Sequence, residues 1–222
     1  DWEFSPNSGT NFPQYMNRFS YGEDMAGAFV STGNPVYLSG QTSPRLHGFA
    51  EILKDWITGN PVPAGNLNGG GLQSWTTMQA GLRAGHFWPR AWQRVVRSPA
   101  FPGDTLVLWM KSYFEHAEYL RQYTGTGNGL AMEINGLFMA SVLFPEFAAS
   151  ASWRLTALDR LADETGPDGQ IYPDGAQTEL TPLYHFTTLR HFANIIRAAQ
   201  ANGIALPDSA TAAAESLFDY AM

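Results

Sequence analysis

The chain has 222 residues, 44% of them hydrophobic and 14% aromatic, which is enough to bury roughly 70% of its unfolded surface around one core and leave rings for stacking on a ligand. A formal net charge of −7 argues against a general nucleic-acid binder, since phosphate neutralisation needs excess Lys and Arg. Zero Cys excludes disulfides and thiolate metal sites and fits the cytosol and the periplasm equally; the sequence holds no apolar run long enough for a membrane span and no signal peptide.

In chain order, apolar residues at helical spacing predict helices over 12–32, 43–58, 72–97 (with a break near Pro89), 104–123, 129–143, 148–165, 182–202 and 208–221. The segment 104–123 shows the pattern well, with Leu106, Met110, Phe114 and Ala117 on one stripe and Trp109, Tyr113 and Leu120 beside it. Turn signals separate the helices: TGNP occurs twice, and SPAFPGD, TGTGNG, LFPEF and GPDGQIYPDG follow. Short turns between helices read as stacked helical hairpins in a single domain, which close into a toroid or run as an open solenoid. The one long non-helical stretch, 58–71, carries five Gly and two Pro and reads as a rim loop or a lid. From Arg83 to Arg121 six basic residues stand against three acidic ones; Arg90, Arg94 and Arg97 lie at i, i+4 and i+7, as on a solvated helix face or a local positive strip.

Three stretches can carry chemistry. In GQIYPDGAQTELTPLYHF (169–186), Pro173, Asp174 and Gly175 make a turn, and Thr181 can cap a helix whose first residue is Pro182. That places Tyr184 and His185 in a first helical turn, where side chains reach a cleft or bury against the turn. In TGTGNGLAMEINGLF, Asn128 follows Gly and precedes an apolar helix; it suits an N-cap or an amide offered to a carboxylate. Glu133, inside that apolar helix, is either a buried structural carboxylate or a ligand contact. Trp75, Gln79 and Arg83 stand at i, i+4 and i+8, so a ring, an amide and a guanidinium can share a face, as a sugar acid requires; Trp75 in the core and Arg83 at the surface is the alternative. His116 in SYFEHAEYL is a further candidate.

The ordered series YMNRFSYGEDMAGAFVSTGNPVY, ILKDWITGNP, SWTTMQAGLRAG, HAEYL, GNGLAMEINGLFMASVLFPEF and YPDGAQTELTPLYHF resembles the N-terminal helical domain of the heparinase II/III-like polysaccharide lyases. The resemblance spans nearly the whole chain. It implies an all-α fold, an incomplete α/α toroid, followed in full-length relatives by a β-sandwich domain that is a partner expected outside this chain. It further implies β-elimination on an acidic, uronate-containing polysaccharide such as heparan sulfate, in the periplasm or outside the cell, with no cofactor or metal in this domain. By the same resemblance Tyr184 matches the catalytic acid and Asn128 the residue that engages the uronate carboxylate, with Gln177 and Glu179 supporting Tyr184. Trp75, Gln79, Arg83, His116, Glu133, Gln177, Glu179 and His185 are then substrate-binding candidates. Several relatives follow the asparagine with a histidine, where this chain has Gly129, and a further catalytic histidine is expected in the second domain.

The chemistry explains the residue types. A uronate C5–H is a weak acid because the adjacent carboxylate is already negative, so its removal needs that charge neutralised. A phenol can then protonate the departing O4 oxygen. Two other functions fit the same helices: a glycoside hydrolase using a carboxylate pair drawn from Glu133, Asp174 and Glu179, and a non-catalytic polysaccharide-binding scaffold.

Overall fold

The computed structural model describes residues 1–7, 9–68 and 72–222. It is 66% helical, and among the described residues the only β contacts are two isolated bridges, Gln41 with Leu46 and Ile171 with Gln177. The helices are α1 (Asn11–Arg18), α2 (Ser20–Thr32), α3 (Val36–Ser39), α4 (Phe49–Gly59), α5 (Thr77–Leu82), α6 (Trp88–Val95), α7 (Gly103–Gln122), α8 (Gly127–Leu143), α9 (Ser150–Thr165), α10 (Pro182–Ala201) and α11 (Asp208–Tyr220).

The helices fall into two layers. Gln14 bonds Gln73 and Arg18 bonds Gln79, so α1 runs in the direction of α5. Gly81 packs on Met132 and Glu133 while Gly85 packs on Asn135 and Gly136, so α5 and its continuation run parallel to α8. Asn128 meets Glu179, just ahead of α10, and Asn135 meets Asn194 within it, so α10 is parallel too. Outside this layer the direction reverses: Phe49 lies at Gly22 while Trp56 reaches back to Asn17, and His185 of α10 reaches Leu217 of α11. Parallel inner helices and antiparallel outer ones make an incomplete toroid of helical hairpins.

Three predicted segments change at their ends or within. The 12–32 helix is two helices, divided at Phe19, whose φ of 66° breaks the hydrogen-bond ladder. This non-glycine left-handed residue is held by packing: its buried ring meets Trp2, Tyr21, Trp56 and Trp88. The 43–58 helix starts only at Phe49, capped by the Glu51 carboxylate on the Gly48 N–H at 3.3 Å. The 72–97 helix is a 3₁₀ turn (Gln73–Trp75), α5, a π turn (Arg83–Phe87) and α6. Its break lies at the π turn and not at Pro89, which is the second residue of α6, where a missing N–H costs little. In the π turn a Cβ on Gly85 would sit 2.5 Å from the Asn135 amide, so only glycine lets the two inner helices approach. On α7 the buried stripe is Trp109, Tyr113, His116, Ala117 and Leu120, while Leu106 and Met110 are partly buried and Phe114 is 38% exposed. The 58–71 stretch is non-helical over the residues described after Gly59; its glycines 69–71 lie outside the described residues.

Candidate functional site

Asn128 and Tyr184 begin two adjacent, parallel inner helices. The register follows from the pairs that cross between them. Asn135 lies against His191 at 3.2 Å, and each is seven residues beyond the residue of interest on its own helix. Asn135 also accepts from Asn194 at 2.8 Å, so Asn128 is level with residues 184–187; at about 1.5 Å rise per residue, Asn128 and Tyr184 lie within about one turn of the same height, roughly 10 Å from those pairs, on one rim. The N-terminal ends of α8 and α10 both point to it; neither first turn carries an acidic residue of its own, and the α8 end is met by the Glu179 carboxylate.

The turn ahead of α10 forms as expected. The Ala176 N–H donates to Asp174 Oδ1 at 3.0 Å, Gly175 has φ of +90°, and Thr181 Oγ1 accepts the Tyr184 N–H at 3.2 Å with Pro182 at the first helical position. Tyr184 is 39% exposed, so its ring is open to a solute.

Asn128 departs from expectation. It is the second residue of α8 and not its N-cap; the capping position is Thr126, which makes no side-chain capping bond. The cap comes from Glu179 instead. Asn128 donates its backbone N–H to Glu179 Oε1 at 2.6 Å and its side-chain amide to Oε1 and Oε2 at 2.8 and 3.0 Å. Gln177, buried beneath, donates to Glu179 Oε1 at 3.3 Å and accepts the Glu179 N–H at 2.9 Å. The expectation that Gln177 and Glu179 support Tyr184 is thus corrected: their side chains reach each other and Asn128. A Cβ at Gly129 would meet only Met78 at 3.8 Å, so packing does not demand glycine there.

The remaining candidates turn inward. Trp75, Gln79, Arg83 and His116 are at most 1% exposed, so as folded they offer no surface to a substrate, and the arrangement with Arg83 at the surface is also corrected. The Arg83 guanidinium carbon lies 4.2 Å from the centre of the Trp56 ring and 5.3 Å from that of Trp75. Its Nε donates to His116 Nε2 at 2.8 Å and its Nη1 to the Asn17 carbonyl at 2.9 Å. Because His116 Nε2 accepts, Nδ1 carries the hydrogen and donates to the Ser112 carbonyl at 2.6 Å; burial and Arg83 hold this imidazole neutral, well below its usual pKa. Arg83 is a buried cation stabilised by indole faces and neutral acceptors, with Trp75 meeting it from a 3₁₀ turn and not from the face of one continuous helix. Gln79 accepts from Arg18 Nε at 3.0 Å.

Glu133 is enclosed as well. Its carboxylate accepts the Thr77 and Thr124 hydroxyls and the Gly125 N–H, stapling α8 to α5 and to the preceding turn, and burial raises its pKa. His185 is buried with Nε2 at 2.7 Å from the Leu217 carbonyl, an anchor for α11. A pocket of about 340 Å³ lined by Gln177, Leu180, Thr181, Pro182, His185 and Tyr220 flanks the segment ahead of α10; neither Asn128 nor Tyr184 lines it. Of the ten candidates, the structure brings together Asn128, Gln177 and Glu179 and sets Tyr184 on the same rim.

Two polar groups escaped the sequence reading. Gln170 is buried and accepts from Gln177 and Thr188 at 3.3 Å each. Asn135 donates to the Gly85 carbonyl at 2.9 Å and accepts from Asn194 at 2.8 Å beside His191 and His86, whose rings are 5.9 Å apart. Asn135 was detectable by the signal that marked Glu133, a polar residue in an apolar helix.

The chain matches the family model described as Heparinase II/III N-terminus over residues 1–222. It is 28% identical over 193 residues to a heparin-sulfate lyase of Pedobacter heparinus, covering 86% of this chain and 27% of that protein. It is 26% identical over 205 residues to a heparin-sulfate lyase of Bacteroides thetaiotaomicron, covering 91% of this chain and 27% of that protein. Among solved structures it superposes on a heparinase III with a TM-score of 0.86 at 26% identity, over 100% of this chain and 32% of that one. A heparan sulfate lyase from Pedobacter heparinus gives a TM-score of 0.74 at 26% identity, over 99% and 33%. The chain thus spans about a third or less of the length of the proteins it matches.

Proposed function

This chain belongs to the heparinase II/III family, and from that premise we propose that it forms the toroid part of a lyase that cleaves an acidic, uronate-containing polysaccharide such as heparan sulfate. The observation that carries the proposal is the shared rim, where an exposed tyrosine and an asparagine amide begin two adjacent parallel helices. The Asn128 amide takes the uronate carboxylate and stabilises the negative charge that builds on it as C5–H is lost. The electron pair of that C–H bond forms the C4–C5 double bond as the C4–O4 bond breaks, and the Tyr184 hydroxyl protonates the departing O4. The C5 proton goes to a base outside this chain, which leaves the Tyr184 hydroxyl to act as the acid. No water is consumed. A second, β-sandwich domain in the complete protein, completing the cleft, and action in the periplasm or outside the cell belong to the same proposal.

Hydrolysis finds less support, because Glu133 is enclosed by three donors and Glu179 is bound to Asn128, which leaves neither as a free member of a carboxylate pair. The test uses the complete protein that carries this chain, incubated with heparan sulfate, hyaluronan, chondroitin and alginate. Ultraviolet absorbance from the new double bond is expected with at least one of them. Tyr184→Phe should lower kcat by about 10² or more with KM and melting temperature little changed, and Asn128→Ala by roughly 10²–10³. New reducing ends without absorbance would mean hydrolysis, and near-parental kcat in Tyr184→Phe would remove Tyr184 from the chemistry.

A further inference from the structure

The Asn128 side chain does not stand free at the rim. Its amide and its backbone N–H both close on one carboxylate that comes from 51 residues away. Gly127 is built around the same group: its φ is +60°, and a Cβ there would sit 2.6 Å from Glu179 Oε1. Glu179 is held in turn from below. Gln177 grips both its backbone N–H and its carboxylate, Gln177 Nε2 also donates to Gln170 Oε1, and Gln170 Nε2 donates to Glu164 at 2.7 Å. Directly after Glu179 comes Leu180, 69% exposed, with a left-handed φ of 54°, and then Thr181, the α10 cap that fixes the first turn of Tyr184. A left-handed leucine with no burial to favour it is backbone strain, held by the bonds on either side.

We infer that Glu179 is a positioning residue, one that sets the Asn128 amide relative to the α10 terminus and does not itself bind substrate. The inference rests on the proposed role of Asn128. The two hydrogens of an amide nitrogen diverge too widely for both to meet one carboxylate, so Glu179 engages one and fixes the rotamer, leaving the other hydrogen and Oδ1 for a ligand. A side chain ordered in advance loses no conformational freedom when charge develops on the substrate, and errors of about 1 Å in such a group cost on the order of 10² in rate. Direct contact between Glu179 and a uronate would set two carboxylates together. Here the Glu179 charge is instead absorbed by the Asn128 donors, Gln177 and the positive end of α8. The chain from Glu164 through the buried Gln170 and Gln177 to the exposed Glu179 ends on Asn128, and Tyr184 follows Glu179 by five positions, so one element sets the placement of both rim residues.

Two measurements test this. In the complete protein, Glu179→Ala should lower kcat by about 10- to 100-fold with KM changed less than about threefold, and Glu179→Gln, which keeps one acceptor oxygen, should recover part of the loss. In an Asn128→Ala background, Glu179→Ala should change kcat by less than about twofold, because nothing remains to be positioned. In the 222-residue chain, ¹⁵N relaxation of the Asn128 side-chain amide should show a rigid group that becomes flexible in Glu179→Ala. An amide equally ordered in that variant overturns the inference whatever the turnover. So does a kcat within twofold of the parent, or an equal loss in the Asn128→Ala background. If no uronate polysaccharide yields unsaturated product with the parent protein, the proposed reaction fails, and the relaxation measurement decides the positioning role alone. Should Glu179→Ala unfold, Glu179→Gln read by relaxation takes its place, with an unchanged amide again the overturning result.

Discussion

Three of the five histidines are buried neutral, and this makes the fold acid-labile. Burial and the nearby Arg90 and Arg190 hold His86 at about 4 and His191 at about 3, and burial with Arg83 holds His116 well below its ordinary value. In the unfolded chain each titrates near 6.5, so between roughly pH 6.5 and 4 the unfolded state binds more protons than the folded one. Stability therefore rises with pH across that window, is fully present above it, and is lost as pH falls. For a folded-state pKa well under 5, the change from pH 7 to 5 is set by the unfolded value alone and is about 2 kcal/mol per histidine, about 4 kcal/mol for His86 and His191 together, with His116 acting in the same direction. Glu133 and Glu164, raised by burial, run the other way and offset part of it. Against a typical stability of 5–15 kcal/mol, that is enough to lower the melting temperature by roughly 10 °C or more between pH 7 and 5. Thermal or urea unfolding at pH 7.5, 6 and 5 measures it. His191→Asn, which cannot titrate, should remove about 2 kcal/mol of the pH-dependent fall even if the variant is less stable throughout. Equal stability at pH 7 and 5, or an unchanged slope in His191→Asn, would refute the reasoning.

Arg83→Ala removes a guanidinium from over three indole rings and strands the His116 and Asn17 acceptors, so unfolding free energy should fall by about 3–5 kcal/mol in urea titration; an intact melting temperature with weakened sugar binding would restore Arg83 as a substrate contact. Gly127→Ala imposes a side chain at φ +60° against Glu179 Oε1 and should cost about 1 kcal/mol or more while lowering kcat in the complete protein. Parental stability and turnover in that variant would show that the Glu179 clamp is dispensable.

Much of the fold was legible because helices announce themselves locally. Periodicity found the segments that became α7 to α11 within a few residues, and Thr181 with Pro182 marked the start of α10 correctly, since a cap and its first turn are contacts between near neighbours in sequence. The ordered motifs likewise fixed family and all-α class. Local signals also misled where distant residues supplied the decisive partner. Phe19 breaks its helix because three tryptophans from elsewhere, with Tyr21, hold it left-handed, and no property of residues 12–32 reports those tryptophans. Asn128 looked like a cap because it follows glycine, yet its acceptor arrives from residue 179. The trio Trp75, Gln79 and Arg83 has spacing that suits a sugar face or a core, and spacing cannot say which way a helix turns. That was decided by packing on α4 and α7, which surrounds Arg83 with indoles and His116 and leaves it without exposed surface. The sequence by itself determined which residues could do chemistry, and the parallel register of α8 and α10 decided which of them share a rim.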